Sequence, residues 1–119
     1  MRHEQLMETI RISVEPGICG FCCQVQARQQ NKKRAAIEIT GSQCKLVQKL
    51  ADSVKEVTLH DIFTGHCSNP VFKAASQAGC HLSCPVPVAI LKAAEVALGL
   101  ALPQEVRISF GQCEKKGRP

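Results

Sequence analysis

A chain of 119 residues with 45% hydrophobic and 21% charged content is long enough to bury one core without covalent staples, and its composition excludes a disordered polymer. It has no Trp or Tyr and four Phe, so the core must be aliphatic, and a base-stacking surface for single-stranded nucleic acid is not expected. The net charge of +5 is concentrated in Lys32-Lys33-Arg34 and in Lys115, Lys116 and Arg118, short runs that read as solvated edges and would serve an anionic small molecule as well as a polymer.

The opening "MRHEQLMETIRISV" carries no apolar run and no small-residue cleavage site, so a cytoplasmic location is expected and residues 1–8 read as a flexible terminus. In Thr9–Val14, Ile10, Ile12 and Val14 alternate with Arg11 and Ser13, which predicts a half-buried strand. "PGICGF" (Pro16 to Phe21) breaks the pattern with one Pro and a pair of Gly, the mark of a turn or bulged loop. Cys23, Val25 and Ala27 then alternate with Gln24, Gln26 and Arg28 as a second strand. A polar turn over Gln30 to Lys33 leads to a third strand, with Ile37 and Ile39 inward and Glu38 outward. Consecutive strands joined by short turns predict an antiparallel meander.

Gly41-Ser42 ends the sheet run, and Ser42 is the expected cap of a helix whose apolar side is Val47, Leu50, Ala51 and Val54. "VTLHDIF" fits either a short strand or an extended connection. Asn69-Pro70 caps a second helix with Phe72, Ala75 and Ala78 inward and Gly79 at its end. A third helix is expected from about Val86 to Leu98, followed by Gly99. The apolar run from Cys84 to Leu102 is interrupted by Lys92 and Glu95, so it reads as a core helix and not as a membrane span. Val106, Ile108 and Phe110 alternate as a closing strand, and residues 113–119 form a basic tail. The whole predicts a single α+β domain over residues 9–112: an antiparallel sheet of about four strands with three helices on one face, in two layers.

Eight cysteines are many for such a chain. In a reducing compartment they favour metal or redox chemistry over a disulfide framework. Cys44 and Cys84 fall at helix starts, where unpaired N–H groups and the positive end of the dipole stabilise thiolates. Pro85 and Pro87 make the second of these starts rigid. Cys19 lies between Ile18 and Gly20 in a loop that lets a ligand approach closely. Cys80-His81-Leu82-Ser83-Cys84 is a dense second cluster. No C-x-x-C spacing occurs twice, so any metal site must assemble from separate segments: Cys19, Cys44 and Cys84, with His81 nearby. Soft thiolates with an imidazole suit Zn²⁺ or an iron–sulfur cluster.

Other thiols read differently. Cys67, Cys80 and Cys113 are expected to be small core hydrophobes, and Cys22 and Cys23 are left open. The Cys19-to-Cys22 pair is followed by a strand pattern, which argues against a thioredoxin-like site. His66 and His3 read as solvated and His60 as structural. No Ser-His-Asp pattern, phosphate loop or H-E-x-x-H element occurs.

The combination of "PGICGF", the Ser42-x-Cys44 helix start and "HLSCPVPVAILKAAEVALGLALP" resembles a family of short, uncharacterised prokaryotic proteins common in anaerobes and methanogens and without an assigned activity. The resemblance covers most of residues 9 to 110. It implies that Cys19, Cys44, His81 and Cys84 are the positions to watch. A weaker similarity is to OsmC-type thiol peroxidases, with Cys44 and Cys84 matching their two thiols, although the chain is short for that family and its catalytic arginine and glutamate have no clear counterparts here.

The leading expectation is therefore a zinc or iron–sulfur site on Cys19, Cys44, Cys84 and His81. The alternative is a metal-free thiol enzyme, reducing peroxide or carrying sulfur, with Cys44 as the attacking thiolate and Cys84 resolving it. A third reading is an interaction domain whose cysteines fill the core. Partners stay open between a small or anionic ligand and a second copy of the chain; neither membrane nor nucleic acid is expected.

Overall fold

The computed structural model of the chain describes residues 9–17 and 20–111. Strands β1 (Thr9–Val14), β2 (Cys23–Asn31) and β3 (Arg34–Thr40) form the expected meander. Helix α1 (Lys45–Ser53) follows, then a short strand β4 (Glu56–Thr58) that runs directly into helix α2 (Leu59–Ile62). A single 3₁₀ turn (His66–Ser68) leads to α3 (Pro70–Ala78) and then to α4 (Val86–Ala97). The four strands make one antiparallel sheet in the order β1-β2-β3-β4. This is an α+β fold.

Register explains the two faces of the sheet. Ile12 pairs with Val25 and Val25 with Ile39, while Ile10 pairs with Ala27 and Ala27 with Ile37. These side chains share the inner face, because residues directly opposite one another in a ladder point the same way. The same pairing sets Arg11 opposite Gln26 and Gln26 opposite Glu38 on the outer, solvated face. Helix α4 lies across β2 and β1 and reaches β3. It buries Val86, Ala89, Ile90, Ala93 and Ala94. Ala89, Ala93 and Ala94 of this helix and Ala27 and Ala35 of the sheet, all buried, let helix and sheet approach closely. Helix α1 contributes Val47 and Leu50, and α3 contributes Val71, Ala74, Ala75 and Ala78.

The ambiguous "VTLHDIF" resolves through one local signal. Val57 enters the ladder opposite Ala35 and is fully buried, and Thr58 then caps α2. Its hydroxyl accepts the Asp61 N–H while the Asp61 carboxylate accepts the Thr58 N–H, a capping box at the strand-to-helix switch. Lys32 and Lys33 occupy the exposed β2–β3 turn as expected, while Arg34 already opens β3 and pairs with Glu56 at 3.0 Å.

Several expectations are corrected. Ser42 is not the helix cap: Cys44 holds that position, its carbonyl accepting from Gln48 N–H at 2.9 Å, and Ser42 Oγ accepts the Cys44 N–H one step earlier. Phe72 is only half-buried and stacks at a tilt on His66, leaving Val71 and the alanines as the inner side of α3. The closing strand does not form. Residues 101–111 join no ladder, and Val106, Ile108 and Phe110 are 58%, 89% and 107% exposed. Their alternation is real, but the sheet acquires its fourth strand from β4 instead. The expected flexible start (residues 1–8), Cys113 and the basic tail lie outside the described residues. Among the described residues no helix is long and apolar enough to cross a membrane.

Candidate functional site

The site assembles at the ends of three helices. Helix α3 stops at Gly79, whose φ of +83° is the left-handed conformation that glycine adopts without strain. Cys80 N–H then donates to the Ala75 carbonyl at 3.0 Å, which fixes the first residue beyond the helix. From there a single turn returns the chain: Cys84 N–H donates to the His81 carbonyl at 3.0 Å, and Pro85 begins α4. Cys80 and Cys84 are thus held at the two ends of a rigid connection. Cys44 arrives separately, as the N-cap of α1.

These thiols line one hollow of about 90 Å³, with His81, Ser83 and Pro85 from the connection and Leu46 and Val47 from α1. Pro16 and Phe21 close another side of it. They bracket Cys19 in the sequence, and Cys19 itself lies outside the described residues. Cys44, Cys80 and Cys84 are each half-buried, and His81 is exposed at the rim. The Cys80 thiol donates to the Leu46 carbonyl at 3.8 Å. Burial pushes Cys80 above the ordinary thiol value of 9.0, and the neighbouring Cys84 and then Cys44 push it further the same way. Cys84 and Cys44 thus both bear on the Cys80 thiol.

A second hollow, larger at about 450 Å³ but more open, lies over the adjoining ends of β1, β2 and β3, where Ser13, Cys22, Gln24 and Thr40 line it. Its size does not make it the better site: it gathers no group of thiols beyond Cys22 and its neighbour Cys23, and Cys23 is buried in the core. Cys22 therefore belongs to a different surface from Cys44, Cys80 and Cys84.

Among the sequence candidates, then, Cys44, Cys84 and His81 come together. Cys80, expected in the core, instead lines the hollow between them. The signal for it was present in the density of Cys80-His81-Leu82-Ser83-Cys84. Cys67, also expected in the core, is exposed within the 3₁₀ turn, where Gly65, His66 and Ser68 are exposed as well. Among the described residues, no group of three or more His, Cys, Asp or Glu side chains is placed to hold a metal ion.

No curated protein and no solved structure matches the chain. No similarity to OsmC-type thiol peroxidases is shown by these comparisons. Residues 10–110, the stretch that carries both the sheet and the thiol-lined hollow, match a family of unknown function, DUF6951, and the chain belongs to that family.

Proposed function

We propose that the hollow binds a soft metal centre, zinc or an iron–sulfur cluster, through Cys44, Cys80 and Cys84 together with Cys19 from the loop between Pro16 and Phe21. The observation that carries this reading is the convergence of Cys44, Cys80 and Cys84 on one hollow from three helix ends. Cys84 and Cys44 both disfavour ionisation of Cys80 there. A cation among them reverses the sign, since thiolates repel one another but all attract the metal, and binding then releases their protons. The described thiols do not by themselves form a ligand group, so Cys19 is required for the site and His81 is left at its rim.

The test is elemental analysis of anaerobically purified protein beside its absorption spectrum. Near-stoichiometric zinc, or iron with sulfide, lost in both Cys84→Ser and Cys19→Ser chains, is the expected result. Metal-free protein, or metal retained in both variants, rejects the reading.

A metal-free thiol pair is the second reading, supported by the way Cys44 and Cys84 face one hollow from two helix starts. In that chemistry the Cys44 thiolate attacks a peroxide oxygen, the O–O bond breaks, and Cys84 displaces water from the resulting sulfenic acid to form a disulfide. Rapid peroxide consumption by metal-free protein, with a Cys44–Cys84 disulfide in its peptide map, would favour it.

A further inference from the structure

We infer that residues 105–110 form a strand arm that pairs with the outer edge of β1 in a second copy of this chain. The arm alternates: Val106, Ile108 and Phe110 are apolar, while Glu105, Arg107 and Ser109 are polar, and Glu105 and Arg107 pair with each other at 3.7 Å. Such alternation describes a half-buried strand, yet the apolar members stand in water, 58%, 89% and 107% exposed. Leu102, just before the arm, is 76% exposed as well. A contiguous row of exposed apolar side chains marks an interaction surface.

The arm leaves the body through a built exit. After α4, Gly99 N–H donates to Val96 and Leu100 N–H to Glu95, with Gly99 at a φ of +78°, and Gln104 N–H closes a turn onto Leu102 across Pro103. These bonds direct the chain outward, and the arm joins no ladder of its own sheet.

The matching receptor is β1. It is an edge strand six residues long, with no partner on its outer side among the described residues. It contains no Pro and shows no register shift in its ladder with β2, so of the usual devices that blunt an edge it carries only the charge of Arg11. The opposite edge, β4, is only three residues long. Ile10 and Ile12 of β1 are left half-buried at the margin of the core. The arm also repeats the strand it would join: "IRISV" in β1 and "VRISF" at 106–110 share Arg-Ile-Ser and the same polarity pattern.

Charge within β1 favours one orientation. With Ile108 opposite Ile12, antiparallel pairing sets Arg107 against Ser13 and Ser109 against Arg11, and brings Glu105 to Glu15 only past the end of β1. Parallel pairing in that register sets Arg107 against Arg11, and like charges placed opposite one another are destabilising. Exchange between copies is reciprocal, each giving one strand and receiving one, so a two-fold dimer leaves no unpaired β1 edge.

The experiment is sedimentation equilibrium of the full chain with reductant present, which removes disulfide-linked species. The expected mass is twice the 12.9 kDa of one chain. Ile108→Pro removes a ladder N–H and is expected to weaken association about tenfold or more, while Ile108→Val leaves it unchanged. Far-UV circular dichroism of the Pro variant should match the parent protein at concentrations where both are monomeric, because Ile108 pairs with nothing in its own sheet. A photo-cross-linking residue in place of Phe110, in a mixture of isotopically heavy and light chains, should join heavy to light within residues 9–14. A monomer at all concentrations, a dimer indifferent to Ile108→Pro, or cross-links confined to one chain would each overturn the inference.

Discussion

The Cys80 thiol donates to the Leu46 carbonyl across 3.8 Å, tying the connection between α3 and α4 to the first turn of α1. The contact places Cys80 where burial and the sulfurs of Cys84 and Cys44 all resist its ionisation. Stability must follow. The unfolded chain releases this proton near 9.0, while the folded chain holds it to higher pH. The contribution is therefore complete below that value and is lost as pH rises through the folded one. Between about pH 8 and about pH 10, the Tm of the parent chain should fall more steeply than that of Cys80→Ala. Parallel slopes would show that Cys80 titrates alike in both states.

Gly79 supports the same connection. Its φ of +83° is costly for any residue with a Cβ, but the space is open enough, since an added Cβ would meet Leu46 Cδ2 at 3.7 Å, an ordinary contact. Conformation and not crowding decides the outcome. Gly79→Ala should cost about 1–2 kcal/mol in urea denaturation. Gly79→Asn should cost less, because asparagine tolerates the left-handed region better. Equal costs would point to crowding instead.

Asn69 is the third anchor, and the sequence announced it only in part. The pair Asn69-Pro70 gave the helix cap, and Asn69 Oδ1 does accept the Val71 N–H at 3.0 Å. Its amide also donates to the carbonyls of Asp61 at 2.8 Å and Thr64 at 3.0 Å, pinning the α2 loop to α3. The residue is 2% exposed, so loss of the side chain strands these groups. Asn69→Ala should therefore exceed an ordinary cap deletion of about 1 kcal/mol and approach about 3 kcal/mol. Asn69→Asp keeps the cap but faces two carbonyl oxygens with a carboxylate, so it should rescue little. Full rescue by aspartate would reduce Asn69 to a simple cap.

What the sequence made legible follows from the range of each interaction. Periodicity and turn chemistry are local, so the meander, α1, α3 and α4 could be read from residues such as Val25, Leu50, Asn69 and Gly79. Burial of Val57 depends on the ladder with Ala35, a long-range contact, and its segment stayed ambiguous. The alternation of Val106, Ile108 and Phe110 predicts a strand that the sheet does not take up, because a local pattern carries no information about which edge, if any, would pair with it. The thiols divide the same way. Cys44 and Cys84 were legible from their helix starts. Cys80 was legible only as a member of a dense cluster, because an apolar thiol after a helix resembles a core residue until α1 is seen to pack beside it.

Alkylation with and without metal separates the site thiols from the rest. Cys22 and Cys67 are exposed and lie away from the hollow, while Cys44, Cys80 and Cys84 line it. In metal-free protein, peptide mapping after a brief N-ethylmaleimide pulse should find Cys22 and Cys67 labelled first and Cys80 late, since only the thiolate reacts readily and burial keeps Cys80 protonated. One equivalent of zinc should then slow labelling of Cys19, Cys44, Cys80 and Cys84 together and leave Cys22 and Cys67 as they were. Protection of Cys19 carries the most weight, because the three described thiols already share a hollow for structural reasons and Cys19 joins them only if one ion draws on both segments. Zinc that slows Cys22 and Cys67 to the same degree would be binding thiols indiscriminately, and the hollow would then hold no dedicated centre.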